Sequence, residues 1–284
     1  MPMTEKSYLS LGPHGFHKIA YAQWGEAHNP NALICVHGLA RRGRDFDTFA
    51  AALEDLYRVA CPDLPGRGDS HWLPIAGDYQ PATYLQDMAA LIARLGAEQV
   101  DWVGTSLGGL LGMMLAAQPN TPIRKLVVND IGGFIDLPAL QRIAGYVGAD
   151  PEFDDVAELD AYLRDIYKPF GALTDAQWRH LAEVSVRHDP ASEKVRLHYD
   201  PRLAEPFKEG FSEPVELWPV WDNVNCPVLI LRGEESDILS KDTAEEMLTR
   251  GPEAELVEFS GIGHAPMLMD AEQIRIVRDW LTVD

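Results

Sequence analysis

The sequence predicts an α/β protein: a mostly parallel, twisted sheet with helices on both faces, interrupted by a helical insertion. Three observations predict it. Short apolar runs such as Ala32–Val36 and Val228–Leu231 lack polar alternation, as do strands buried on both faces. These runs give way to turns rich in Gly and Pro and then to segments with helical spacing. Between about Phe134 and Trp221 that alternation stops and helix signals alone remain.

Taken in order, Ala32–Val36 is the first strand and ends at His37-Gly38, and Phe46, Phe49 and Leu53 follow at helical spacing. Tyr57–Cys61 is the next strand, stopped by the turn Pro62–Gly68. A helix opens at Pro81 and closes at Gly96, with Leu85, Met88, Ile92 and Leu95 on one side. Val100–Val103 is a strand that runs straight into Gly104–Gly109, after which Leu107, Leu110, Leu111, Met114 and Leu115 make a helix face. Lys125–Asn129 and Val228–Leu231 are two more buried strands, and Glu255–Phe259 alternates as an edge strand does. The last helix starts at Asp270, with Gln273 as capping-box partner. Within the insertion, Val156, Leu159, Leu163 and Ile166 share a face, and Thr174-x-x-Gln177 is a second capping box. The division expected is a core of residues 1–133 and 219–284 carrying a helical cap at 134–218.

The chain has 284 residues, 46% of them hydrophobic, enough to bury a large core without disulfide staples. Cys35, Cys61 and Cys226 are an odd count placed in or beside apolar runs, which reads as reduced thiols in a reducing, cytoplasmic setting. With 24 basic against 44 acidic residues, the net charge of −20 repels nucleic acid and anionic membrane, so neither is an expected partner. Met1–Leu11 shows no basic segment leading into an apolar one, so no secretory signal is expected. The longest apolar stretch, Val103–Ala117, is broken by Thr105, Ser106 and four glycines and is too short to span a bilayer.

Gly104-x-Ser106-x-Gly108 has the pattern of a nucleophile elbow, in which a serine at a sharp strand-to-helix turn projects from the sheet while glycines let the backbone pass close by. A serine needs an adjacent base, itself held by an acid. His264, in the loop Gly261–Pro266 after the last strand, is where the chain order Ser, acid, His places the base. The favoured acid is Asp237, in the turn after the Val228–Leu231 strand. Glu234 and Glu235 share its loop, and Asp130, at the end of the preceding strand, is the rival acid or else a turn cap. Oxyanion donors are expected from the N–H groups of Leu107 and Leu39, with Ala40 as the neighbour of the latter. His37 reads as a ring that bonds backbone and shapes its turn.

His37-Gly38, Asp63-x-x-Gly66-x-Gly68-x-Ser70, Gly104–Gly109, Asp237 and Gly263–Pro266 together resemble the α/β-hydrolase superfamily, over essentially the whole chain. The resemblance implies the α/β-hydrolase fold, a Ser106–His264–Asp237 triad, an oxyanion hole from Leu39 and Leu107, and a cap near 134–218. It also implies that Asp63–Gly68 is a structural turn. Haloalkane dehalogenases and epoxide hydrolases of this fold place Asp at the elbow, so Ser106 argues against both. The His-Gly-Gly-Gly loop of one lipase group is absent, since Leu39-Ala40 follows His37-Gly38. His37–Phe46 is similar to proteobacterial capped esterases, some of which act on hydroxyalkanoate oligomers or aliphatic polyesters.

The function expected is a serine hydrolase cleaving carboxylic esters through an acyl-enzyme. A lactonase, a C–C bond hydrolase or a perhydrolase with the same triad, and a slow-turnover ligand-binding receptor, are the alternatives. A small ester or lactone is the expected partner, no cofactor or metal is expected, and both monomer and homodimer fit. Arg41, Arg42 and Arg44 stand out in so acidic a chain: one of them, Arg41 first, is a candidate for binding a substrate carboxylate, against a loop paired with Asp45 and Asp47. Trp178 and Trp221, with Trp218, are candidate walls of an acyl pocket. His180, His188 and His198 lack metal-ligand spacing, and His14-x-x-His17 reads as a strand-turn feature.

Overall fold

The computed structural model describes residues 3–283, so residues 1–2 and 284 of the expected core lie outside it. The chain opens with an antiparallel hairpin, β1 (Thr4–Gly12) and β2 (Gly15–Trp24), which the sequence pattern did not announce because its outer strand carries Leu9 and Leu11 on the exposed side. The doubly wound part follows: β3 (Ala32–Val36), α1 (Asp47–Leu53), β4 (Arg58–Pro62), α2 (Pro81–Leu95), β5 (Val100–Thr105), α3 (Leu107–Ala116) and β6 (Ile123–Asn129). Residues 134–216 hold β7 (Phe134–Ile135), α4 (Leu137–Tyr146), α5 (Val156–Ile166), α6 (Asp175–Val184), β8 (Val186–His188), β9 (Val195–Leu197) and β10 (Val215–Glu216). The chain closes with α7 (Trp218–Trp221), β11 (Val228–Gly233), α8 (Lys241–Met247), β12 (Ala254–Phe259) and α9 (Ala271–Thr282).

The main sheet has eight strands in the order β1-β2-β4-β3-β5-β6-β11-β12, parallel from β4 onward, with β12 at the edge as its alternation predicted. Both faces are covered. On β3, Leu33 and Cys35 pack with Phe49, Leu53 and Val277 of α1 and α9, while Ile34 and Val36 pack with Met88, Leu91 and Leu111 of α2 and α3. That two-sided burial explains why these strands read as unbroken apolar runs.

The expected start and stop signals mostly hold. Gly96 ends α2 at φ 64°, and the Thr174–Gln177 capping box is complete. At α9 it is only half formed: Asp270 caps the helix, but Gln273 Oε1 accepts from the N–H of Leu268 instead of reaching back to Asp270. The α3 helix also differs from its expected single apolar face. Glycines 108, 109 and 112 press it onto the sheet, a Cβ at Gly112 meeting the Trp102 ring at 2.5 Å, and this frees Leu107 and Leu110 to face a cavity.

The 134–216 segment contains four short strands the sequence did not reveal, since strands of two or three residues carry no periodicity. Its first and last, β7 and β10, pair with each other and close the base of the excursion. Arg42 ties it to the sheet: Nη1 donates to Val184 O and to His198 Nδ1 at 3.0 Å each, while Nη2 donates to Asp63 and Asp69. No helix among the described residues is long and apolar enough to cross a membrane.

Candidate active site

Register positions the site. Thr105 of β5 pairs with Asn129 of β6, and Asn129 pairs with Leu231 of β11, so β5 and β6 end at one level while β11 runs on to Gly233. One residue beyond that level come Ser106, whose N–H donates to Asn129 O at 2.8 Å, and Asp130, whose N–H donates to Leu231 O at 2.8 Å. Ser106 sits at φ 52°, in the left-handed region that L-residues rarely adopt, and the turn is tight enough that a Cβ at Gly104 or Gly108 would strike backbone of Gly108 or Val36. The strained turn lifts the hydroxyl clear of the sheet.

The Ser106 hydroxyl lies 3.0 Å from His264 Nε2, and His264 Nδ1 lies 2.7 Å from Asp130 Oδ2. Because a carboxylate only accepts, Nδ1 carries the proton and Nε2 is left to accept from Ser106. Asp130 is 0% exposed. Its Oδ1 accepts from Gly233 N–H at 2.9 Å and its Oδ2 from the Ser236 hydroxyl at 2.6 Å, so its charge is held by three donors. Asn129 clamps the neighbouring loops, donating from Nδ2 to Thr105 Oγ1 and to Pro266 O.

Asp237, the acid favoured from sequence, does not meet His264. It lies six residues past the level of Leu231, where the chain has already turned over the rim, and it is 49% exposed with both oxygens on the guanidinium of Arg142 from α4. A carboxylate one step past a buried strand end meets the imidazole, and Asp130 stands there while Asp237 does not. Glu235 lines the same rim.

His37 is buried, and its ring bonds backbone at both nitrogens: Nδ1–H donates to Gly38 O at 2.7 Å, and Nε2 accepts from Leu64 N–H at 3.0 Å. Burial pushes its pKa down to about 3, and with Nε2 already taken by Leu64 N–H the ring has no free lone pair to serve as a second base. Gly38 O also accepts from Arg41 N–H, and Leu39 O accepts from Arg67 Nε at 2.8 Å. Fixing these two carbonyls fixes the planes of both peptides, and so the directions of the Leu39 and Ala40 N–H groups. No acceptor among the described residues takes either one. Leu107 opens α3, so its N–H has no partner within the helix. Gly38 packs beside Ser106, 3.7 Å separating the serine Cβ from a Cβ built on the glycine.

These groups open into a cavity of about 780 Å³ lined by Leu39, Ser106, Leu107, Leu110, Ile135, Leu140, Tyr146, Tyr162, Ile166, Tyr199 and Phe207, among others. Arg41 lines it too, but its guanidinium is buried, doubly bonded to Asp45 at 2.7 Å and stacked 5.0 Å over the Tyr167 ring. Burial alone would lower its pKa, yet Asp45 holds it above the usual arginine value. Arg44 pairs with Asp47, and Arg42 is spent on the ties described above. Trp178 and Trp221 do not line the cavity. Trp178 packs among Phe170, Leu181, Met267 and Met269, and Trp221 is fully buried with Nε1 donating to Arg250 O at 2.9 Å. Their rings serve packing, as large aromatics in a buried setting usually do. Ser236, Arg67, Asn129 and Arg142 were not legible as site residues, since none is a defining position of a motif.

The model of the alpha/beta hydrolase family matches residues 33–275. The chain belongs to that family. It is 44% identical over 279 residues to the 3-hydroxybutyrate-oligomer hydrolase of Cupriavidus necator, covering 96% of this chain and 95% of that one. Among solved structures, a Rickettsia typhi protein described as a hydrolase superposes with a TM-score of 0.91 at 33% identity, covering 99% of both chains. An α/β hydrolase of Novosphingobium aromaticivorans superposes with a TM-score of 0.86 at 36% identity, covering 98% of both chains. The expected fold and family stand, and this α/β hydrolase falls in the expected class, enzymes that hydrolyse carboxylic esters.

Proposed function

We propose that this α/β hydrolase cleaves short hydroxyalkanoate oligoesters through a Ser106 acyl-enzyme. The observation that carries the reading is the unbroken line from Ser106 Oγ through His264 to the buried Asp130 carboxylate. His264 takes the Ser106 proton as the hydroxyl attacks the ester carbonyl, and Asp130 stabilises the imidazolium that results. The N–H groups of Leu39 and Leu107 receive the oxyanion, each donor contributing on the order of 3 kcal/mol to the transition state. His264 then protonates the leaving alcohol and activates water against the acyl-enzyme. The likeness to the Cupriavidus necator enzyme supports the oligoester class, and a cavity walled by aliphatic and tyrosine side chains suits a chain of alternating methylene and ester groups.

Residues 134–216 serve in this reading as a cap, because α4 and α5 supply Leu140, Tyr146, Tyr162 and Ile166 to the cavity wall. A single chain supplies every catalytic group, so a monomer suffices. The cytoplasm is the compartment we assign, where buried thiols such as Cys35 and Cys61 stay reduced.

The test is hydrolysis of p-nitrophenyl butyrate and of the 3-hydroxybutyrate trimer by the protein and by Ser106→Ala. Both substrates are expected to turn over, and the variant should lose on the order of 10⁴-fold or more in kcat. Turnover of the p-nitrophenyl ester without the trimer would contradict the oligoester assignment. Activity that survives Ser106→Ala would contradict the nucleophile.

A further inference from the structure

Two guanidinium groups reach the cavity, Arg41 and Arg142, and they are held differently. The Arg41–Asp45 pair is closed off, its side chains 9% and 8% exposed. Breaking it would strand a buried charge, which is strongly unfavourable. The Arg142–Asp237 pair is 45% and 49% exposed, and an ion pair in that setting contributes little to stability. Arg142 nonetheless presents an oriented fork: Nε and Nη2 face a carboxylate in bidentate geometry, and the group lies 5.8 Å from the centroid of the Tyr146 ring. A fork already occupied by an exchangeable carboxylate is a carboxylate site with a surrogate in it.

We infer that Arg142 is the subsite for the terminal carboxylate of an acidic ester substrate, with Asp237 as the surrogate that the substrate displaces. This rests on the oligoester reading above and adds the feature that selects a free acid. The chemistry agrees with the layout. In an oligomer of 3-hydroxyacids the free carboxylate is carried by the alcohol half of each ester bond, so it belongs on the side from which the leaving group departs. Asp237 follows Ser236 directly, and the Ser236 hydroxyl bonds the carboxylate that holds His264, the group that protonates that leaving alcohol. The protein's net charge of −20 repels anions in general, so an anionic substrate needs a local cation to enter. One carboxylate replaces another at the fork, and Asp237, already half exposed, turns to water.

The test compares the 3-hydroxybutyrate trimer as free acid with its methyl ester, which differ in one charge and share every ester bond in between. For Arg142→Gln the ratio of kcat/KM, free acid over methyl ester, is expected to fall by roughly ten- to a hundredfold, mainly through KM, as loss of a charged bidentate contact implies. Arg142→Lys keeps the charge without the fork and should fall in between. Asp237→Asn removes the competitor and should raise the ratio. A merely structural Arg142 would move both substrates together and leave the ratio where it was, and that result would overturn the inference while the oligoester reading stood. Failure of the wild-type protein to cleave either trimer would overturn both.

Discussion

Two aspartates follow neighbouring strands of one sheet, and they have opposite fates. Asp130 stands one residue past β6, fully buried, with three hydrogen-bond donors converging on it, one of them the imidazole of His264. Asp237 stands six residues past the matching level of β11, half exposed, on an arginine that reaches over from α4. Both satisfy the chain order of serine, acid and histidine. What separates them is burial: a carboxylate that must steady an imidazolium needs a fixed, dry setting with its lone pairs satisfied, and a rim carboxylate is free to exchange partners. The same sheet edge therefore carries a buried, fixed carboxylate on His264 and a half-exposed, exchangeable one on Arg142.

The two acids should differ most in what their replacement does to turnover. Asp130→Asn should lower kcat on p-nitrophenyl butyrate by about 10³- to 10⁴-fold with KM little changed, because the amide favours the wrong tautomer of His264. Asp237→Asn should lose far less, and steady-state kinetics on both variants checks it. A smaller effect sharpens the same contrast. Ser236→Ala removes one of the donors to Asp130 and should reduce kcat by roughly ten- to a hundredfold, as one hydrogen bond to a charged group, about 1.5–3 kcal/mol, implies. Ser236 bonds the acid and not the substrate, so KM should stay near its wild-type value.

The smallest effect lies where the inserted segment meets the sheet. His198 accepts from Arg42, and burial, then the Arg42 charge, pushes its pKa down to about 4, while His37 is down at about 3. The unfolded chain takes up these protons near pH 6.5, and the folded chain refuses them until far lower pH. The folded state thus binds fewer protons in that window, and stability should fall as the pH drops below 6.5. Urea midpoints from pH 7 to pH 4.5 would record the fall. His198→Gln, whose amide oxygen can accept the Arg42 bond without titrating, should show less of it.

Much of this was legible in the sequence, for physical reasons. Strands buried on both faces leave unbroken apolar runs, and the Gly104–Gly108 turn cannot be built from other residues, so the sheet, Ser106 and His264 could be read directly. Asp130 was legible only as the rival to Asp237, because burial and register are properties of the assembled sheet. The β1–β2 hairpin escaped notice since its exposed face carries Leu9, Leu11 and Phe16, which blur the alternation that marks a half-buried strand. Arg142 could not be found at all: a lone arginine on a helix gains meaning only when the fold brings Asp237 and the cavity to it. Arg41 was visible through its cluster, yet Asp45, four residues on, had already neutralised it.

That Asp130 and not Asp237 holds His264 can be read from one proton. In protein carrying ¹⁵N-labelled histidine, the Nδ1–H of His264 should give a far-downfield proton resonance, because it is shared with a buried carboxylate 2.7 Å away. This resonance should persist in Asp237→Asn and disappear in Asp130→Asn. Loss in Asp237→Asn with survival in Asp130→Asn would contradict the Asp130–His264 pairing.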